Sequence, residues 1–418
     1  MAYSHPILEV LFLCSVSLIW AMIFYQMLFT YFGYMYHQRS LKEQKVLNHA
    51  DISHLPPVSI LIPAHNEELV IKKTLKSLLS LDYPSDRLEI IVINDGSTDN
   101  TPDIVNEISI QDNRVRLLNI QDKDTATGKP HALNFGLKEA KHNLIAVYDA
   151  DNNPEPDSLK YLVLTLCNDK KLVSAFGKFR TINKHRNLLT SFINLETLSF
   201  QFIVQAGRCF LSRIAILPGT NFVIYKDIVV QAGGWDENAL TEDTELSIRL
   251  YEKGHEIKFV PYAVTWEEEP EMWGAWLRQR TRWVRGNFYV LRKYLIPSFK
   301  FKKISLTIEL IYLFLLYYLF LGSILLSHLI FVTSSLGFIA VLSPGPYILV
   351  WICAFILFIV EITLAISYEG EATPRNIGVI VIMYFTYCQA WIVLVFRALY
   401  QEYIQKGKVK WEKTRRFG

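Results

Sequence analysis

Cysteine is scarce in this chain, five in 418 residues, and the five show neither pairing nor metal-ligand spacing. Cys14, Cys353 and Cys388 fall inside apolar runs while Cys167 and Cys209 stand alone, so no disulfide framework or zinc site is expected. Net charge is also small: 43 basic side chains against 40 acidic ones leave +3, with no basic excess to hold nucleic acid. No internal repeat and no low-complexity segment is present. A cleavable leader is not expected either. The first six residues carry no Lys or Arg, the apolar run after them is too long, and no small-residue cleavage site ends it.

What the chain has in excess is apolar sequence, 51% hydrophobic with 13% aromatic, and it is gathered at the two ends. Residues 7–32 carry one charge, Glu9, and exceed the roughly 20 apolar residues that span a bilayer. His37, Arg39, Lys42 and Lys45 follow, which places the next segment in the cytoplasm by the positive-inside rule. Near the other end, 306–332 carries only Glu309, 347–367 only Glu361, and 376–396 no charge; Lys300, Lys302 and Lys303 precede the first of these. Three crossings would leave Lys406, Lys408, Lys410, Lys413, Arg415 and Arg416 outside, against the same rule. Either one segment is re-entrant or interfacial, or 304–368 is threaded differently. The expected layout is an anchor over 1–36, a linker over 37–55, a cytoplasmic domain over 56–300 with interface helices near 186–205 and 273–297, a membrane region over 301–400 and a basic tail over 401–418.

Between the apolar ends the pattern is that of an α/β domain. A strand at 58–62 leads to a helix over 66–81, with Asn66 as N-cap, Glu67 and Glu68 in the first turn, and Leu75, Leu78 and Leu79 at helical spacing. A strand at 88–93, a helix at 99–109, a strand at 115–120, a helix at 130–140 and a strand at 143–148 follow. This alternation predicts a mostly parallel sheet with helices on both faces. Ligands of such sheets bind beyond the carboxyl ends of the strands.

Polar groups recur there. Pro63-Ala64-His65-Asn66-Glu67 follows the first strand, Asn94-Asp95-Gly96-Ser97-Thr98-Asp99 the second, and Asp149-Ala150-Asp151 the fourth. Asn-Asp-Gly-Ser is also an ordinary turn. Two carboxylates one residue apart at a strand end suit a hard cation together with nucleotide phosphates; the competing reading is a cap for the helix near Pro156. Thr241-Glu242-Asp243 opens a helix over 245–253 that Gly254 ends. Either acid caps that helix, or one serves as general base toward an acceptor hydroxyl. Gln279, Arg282 and Trp283 share a face of a helix over 273–291. Arg282 suits a diphosphate and Trp283 a sugar ring, while an interface helix with snorkelling Arg278, Arg280 and Arg285 accounts for the same residues. The run Glu267-Glu268-Glu269 reads as a solvated turn.

In that order, the four motifs resemble those of the processive family 2 glycosyltransferases, the cellulose, hyaluronan, chitin and poly-N-acetylglucosamine synthases, over nearly the whole chain. The resemblance implies a nucleotide-diphospho-sugar transferase (GT-A, Rossmann-like) α/β domain in the cytoplasm, flanked by transmembrane and interfacial helices of a multi-pass plasma-membrane protein. It implies that Glu67 and Asp95 contact the uridine of a UDP-sugar, that Lys129 reaches the diphosphate, and that Asp149 and Asp151 engage the donor and its Mg²⁺ or Mn²⁺, with Asp151 as metal ligand. Asp243 would be the catalytic base beside Glu242; Trp283, Gln279 and Thr241 would face the acceptor glycan, and Arg282 the diphosphate. Pro218-Gly219-Thr220-Asn221 looks like the acceptor-side strand of that family. Asn94 and Pro130 depart from the residues common in relatives, and no gating-loop motif of the cellulose-synthase kind is present.

The reaction so implied is an inverting displacement from UDP-glucose or UDP-N-acetylglucosamine, with membrane lipids and a growing glycan as partners and an accessory membrane subunit as a further one. Tyr312, Tyr317 and Tyr318 fall on the first C-terminal span, where channel lining and packing are both open to them. Two other readings stand beside it. One is transfer of a single sugar to a polyprenyl-phosphate or glycolipid, and the other is an inactive scaffold or binding subunit.

Overall fold

A computed structural model describes residues 6–120, 128–338 and 346–405. The strands are β1 (Val58–Ala64), β2 (Leu88–Asn94), β3 (Val115–Asn119), β4 (Leu144–Val147), β5 (Asn153–Pro154), β6 (Leu172–Thr181), β7 (Phe222–Tyr225) and β8 (Glu256–Glu267). They form one sheet in the order β3-β2-β1-β4-β7-β6-β8-β5. β1 pairs in parallel with β2 and β4, β2 with β3, and β6 with β8. β7, however, runs antiparallel to both β4 and β6, and β5 antiparallel to β8. The sheet is therefore mixed rather than mostly parallel.

Every residue of β2 is buried, as expected of a strand covered on both faces. The two-residue period then sorts the apolar side chains into two cores. Val58, Ile60, Ile62, Ile90 and Val92 enter one core, and Leu61, Ile91, Ile93, Ile145 and Val147 the other. The first is covered by α2 (Ile71–Leu79), α3 (Thr101–Gln111) and α5 (Ser158–Asn168). The second lies under α4 (Lys129–Glu139), α8 (Lys226–Ala232), α9 (Glu242–Glu252) and part of α10 (Trp273–Tyr294).

Two local expectations are corrected. The first helix begins at Ile71, not Asn66. Asn66 sits at φ 57 and uses its carbonyl to accept from the Thr98 amide at 2.7 Å, which makes it part of a loop rather than a cap. Residues 218–221 form the turn before β7, with Gly219 at φ 83 and Asn221 at φ 48, rather than a strand.

Helix α1 (Pro6–Leu47) runs unbroken through the first eleven residues of the expected linker. It stays helical because this segment docks on the domain. The Tyr36 hydroxyl donates to the Phe259 carbonyl, and Lys258 pairs with Glu43 at 2.8 Å. α6 (Leu188–Ser199) continues through a π-helical turn into α7 (Ala206–Leu211), which packs against α1.

After α10 the chain forms α11 (Ile304–Phe314), α12 (Leu321–Ser335), α13 (Tyr347–Ser367), α14 (Pro374–Phe385) and α15 (Tyr387–Leu399). Four stretches are long and apolar enough to cross a membrane: Pro6–Leu47, Ile304–Ser334, Ile348–Ser367 and Pro374–Gln405. The last is broken between α14 and α15 at Thr386, whose ψ of −72° leaves the helical range. Both its ends touch the α/β domain. Glu371, just before α14, accepts from Lys184 at 2.6 Å and from Asn194 at 2.8 Å. Glu402, just after α15, pairs with Arg285 at 2.9 Å and Arg292 at 2.5 Å. The basic residues from Lys406 onward lie outside the described residues.

Candidate functional site

A cleft opens where the carboxyl ends of β1, β2 and β4 meet the start of α9 and one face of α10. All eleven residues singled out from the sequence, Glu67, Asp95, Lys129, Asp149, Asp151, Thr241, Glu242, Asp243, Gln279, Arg282 and Trp283, line it. Strand ends deliver the first group. The Asp95 amide donates to the Ala64 carbonyl at 2.9 Å, which ties the ends of β1 and β2 together. The Asp95 carboxylate accepts from the Gly128 amide at 2.8 Å and so fixes the entry to α4, where Gly128 takes φ 101. Glu67 is held by its own amide, which donates to the Thr101 hydroxyl at 2.7 Å.

Lys129 opens α4 and reaches across the floor. Its ammonium donates to Asp149 at 2.6 Å and to the Gly219 carbonyl at 2.9 Å, and lies 3.9 Å from Glu242. Burial pulls this ammonium down, but Asp149, Glu242 and Asp243 outweigh it and leave the pKa above its ordinary value. Behind it, the Asp149 amide donates to the Thr220 hydroxyl at 3.0 Å, and the Thr74 hydroxyl donates to the Ala150 carbonyl at 2.7 Å. The Asp-x-Asp turn is thus anchored from both sides.

Asp243 faces Lys129 from the start of α9. Both come up against Gly219: a Cβ there would lie 2.9 Å from Asp243 Oδ2 and 3.4 Å from Lys129 Nζ. A side chain at 219 would therefore obstruct the carboxylate, and the positive φ independently favours glycine. Burial raises the Asp243 carboxyl most, Glu242 adds to this, and Lys129, the Thr244 amide and Arg282 offset part, leaving it at about 7. A carboxylate so placed suits proton abstraction near neutral pH.

α10 closes the third wall. It packs directly on Thr241, since a Cβ at Gly286 would meet that side chain at 2.5 Å. Close packing there holds Gln279, Arg282 and Trp283 at the cleft mouth.

Other features were misread or missed. Glu267, Glu268 and Glu269 are not a solvated turn; they line the cleft, and Glu269 is buried. Phe179 of β6 also lines it, with no signal in the local pattern. Arg280 does not snorkel but is 1% exposed and paired with Glu196 at 2.9 Å, and Arg285 pairs with Glu402. Of the tyrosines on the first C-terminal span, Tyr317 accepts from Asn287 at 2.9 Å and Tyr318 meets Tyr403 at 2.6 Å.

Among the described residues, no three His, Cys, Asp or Glu converge into a closed metal cage. The donors at the end of β4, Asp149 and Asp151, are two carboxylates beside an open cleft. That set fits Mg²⁺ or Mn²⁺, which keep waters and take phosphate oxygens alongside one or two protein carboxylates.

Residues 56–286 match the family model described as Glycosyltransferase like family 2. The chain is 46% identical over 421 residues to the Probable glycosyltransferase YdaM of Bacillus subtilis (strain 168), covering 97% of this chain and 98% of that protein. It is 31% identical over 258 residues to the Poly-beta-1,6-N-acetyl-D-glucosamine synthase of Staphylococcus aureus (strain COL), covering 62% of this chain and 61% of that one. Among solved structures, the mannosyltransferase PcManGT from Pyrobaculum calidifontis, in complex with GDP-Man and Mn²⁺, superposes with a TM-score of 0.62 at 18% identity, covering 96% of this chain and 100% of that one.

Proposed function

The chain belongs to glycosyltransferase family 2, and from that premise we propose that it is a membrane-embedded, inverting synthase that extends a β-linked glycan from a UDP-sugar. It is a glycosyltransferase, and its fold is the GT-A nucleotide-sugar transferase type with several helices long and apolar enough to span a membrane. The observation that carries the finer reading is the pair brought together at Gly219: a half-buried carboxyl, Asp243, and a half-buried ammonium, Lys129, that is itself bound to Asp149.

In this reading Glu67 and Asp95 receive the uridine, and Lys129 and Arg282 meet the diphosphate. Trp283 stacks on the acceptor ring, and Gln279 and Thr241 contact its polar edge. Asp243 takes the proton of the acceptor hydroxyl, whose oxygen bonds to the anomeric carbon as the bond from that carbon to the diphosphate breaks. Glu242 keeps the Asp243 carboxyl poised by repelling its charge. Lys129 and Arg282 offset the charge gathering on the departing UDP. Asp149 and Asp151 would hold Mg²⁺ or Mn²⁺, Asp151 as direct ligand, and the ion supplies further neutralisation of that diphosphate. UDP-glucose and UDP-N-acetylglucosamine both suit the cleft. The kinship with a poly-N-acetylglucosamine synthase supports the second and supports polymerisation.

The proposed site of action is the cytoplasmic face of the cell membrane, with residues 56–300 as the transferase unit. α1, the α11–α12 stretch and α13 cross the bilayer. The segment 374–405, bent at Thr386 with both ends on the transferase unit, lies in the interface. Three crossings plus one interfacial segment put the tail after residue 405 on the cytoplasmic side, where its basic residues belong.

The test uses membranes carrying the full chain: UDP release from a panel of UDP-sugars with Mg²⁺ or Mn²⁺, with the product sized. One donor giving a long polymer is the expected result. A product of one sugar on a lipid would replace polymerisation with single transfer. No release from any donor, with neighbouring membrane subunits co-expressed or not, would sink the reading.

A further inference from the structure

The acceptor-side residues of α10 do not hold themselves in place. Between Gln279 and Arg282 lies Arg280, whose side chain turns inward and is nearly fully buried. Its guanidinium makes three contacts. One Nη donates to Glu196 at 2.9 Å, the other donates to the Gln279 carbonyl oxygen at 2.8 Å, and the group lies 4.0 Å from the centroid of the Trp283 ring. Glu196 belongs to α6, outside every motif of the cleft. Its carboxylate also accepts from the Tyr387 hydroxyl at 2.8 Å and from the Trp391 indole at 3.0 Å, both on α15. The Trp276 indole in turn donates to the Tyr387 hydroxyl at 2.8 Å.

We propose that Glu196 and Arg280 are positioning residues for the acceptor, through which α15 sets the pose of Gln279 and Trp283; this rests on the glycosyltransferase reading of the cleft. The chemistry follows from which atoms are already occupied. Arg280 uses the Gln279 carbonyl oxygen, so the Gln279 amide NH₂ is the end left to face the cleft, where it donates to an acceptor oxygen. Arg280 covers one face of Trp283, and a ring that remains 38% exposed keeps surface open for a sugar. Glu196 is required because a guanidinium this deeply buried needs a charged partner. An anchor that served only to join α6, α10 and α15 would have no reason to direct its second Nη and its flat face at two cleft residues. The consequence is a division of labour: the donor contacts of Glu67, Asp95, Lys129 and Asp149 are held without α15, whereas the acceptor contacts of Gln279 and Trp283 are not.

The experiment compares the full chain in lipid nanodiscs with its Glu196→Gln, Arg280→Lys and Tyr387→Phe variants. It measures the share of consumed donor that ends as free sugar rather than glycan, together with the KM for the donor. Glu196→Gln and Arg280→Lys are expected to raise the free-sugar share about ten-fold, the scale of one lost cation–π and hydrogen-bond arrangement, with donor KM unmoved. Tyr387→Phe moves the share in the same direction by less. A folded Glu196→Gln chain with an unchanged share would overturn the proposal, as would a rise in donor KM that matches the loss of transfer. Should Glu196→Gln fail to fold, Arg280→Lys carries the same two outcomes. Wild-type chain that consumes no donor would instead remove the glycosyltransferase reading itself, and this inference with it.

Discussion

On the side of the cleft built by β1, β2 and β4, polar groups are fixed by hydrogen bonds between turns and helix starts of the sheet domain: Asp95 to the Gly128 amide, Glu67 to Thr101, Asp149 to Thr220. On the side built by α10, they are fixed by side-chain ion pairs that run to distant segments, Arg280 to Glu196 and Arg285 to Glu402. The first kind of support comes from within the transferase sheet and its adjoining turns. The second reaches the long apolar stretch 374–405, directly through Glu402 and by way of Glu196, which accepts from Tyr387 and Trp391. Under the proposed reading, the donor contacts on the sheet side are held within the transferase domain, whereas Gln279 and Trp283 depend on α15.

The comparison can be broken in stages, taken here from the largest expected effect downward. Lys129→Met strikes the sheet side of the cleft, both the diphosphate contact and the charge that faces Asp243, and should lower kcat by about 10²-fold, the scale for losing one preorganised charge, as read by UDP release. Glu369→Ala strikes the docking of the turn between α13 and α14 on the sheet domain. Glu369 pairs with Lys178 at 2.7 Å and with Arg180, and both Lys178 and Glu369 have buried side chains. Breaking such a pair should cost about 3 kcal/mol, seen as a lower Tm in detergent, while UDP affinity by calorimetry stays put. Trp283→Ala removes the acceptor platform and should raise the free-sugar share about ten-fold without changing donor KM.

The effect read as a slope rather than as the loss in one variant is a pH dependence set by Asp243. Its carboxyl rises from 3.8 to about 7 on folding, chiefly by burial. Within that window the folded chain keeps a proton that the unfolded chain has released, so stability falls as pH rises through it and levels off above about 7. Transfer moves the other way, since the base acts only when deprotonated. The acid limb of kcat/KM for the free enzyme should therefore fall near pH 7, and Asp243→Asn should flatten the stability slope.

The two sides also differ in how far the sequence discloses them. Donor-side residues stand directly after buried apolar runs, so Asp95, Asp149 and Asp151 could be placed at strand ends from the pattern alone. Acceptor-side supports have no such marker. A basic helix face reads as an interface helix whether its arginines reach solvent or, like Arg280, enter the core, because periodicity reports a face and not what covers it. Glu267-Glu268-Glu269 looks like a solvated turn for the same reason, since the side chain that holds the Glu269 backbone is Asn183, 86 residues away. The direction of β7 was equally hidden, because a four-residue buried strand carries no mark of parallel or antiparallel pairing. The side of the tail, undecidable from apolar runs alone, gains support from a tertiary contact, that of Glu402 with Arg285 and Arg292.

The most direct test of the central claim sets UDP binding against turnover in Asp243→Asn and wild-type chain, both full length in nanodiscs with Mg²⁺ or Mn²⁺. The account predicts that the variant binds UDP as wild type does and forms no glycan. Equal glycan formation by the two would contradict it, because the proton of the acceptor hydroxyl would then leave by way of another group.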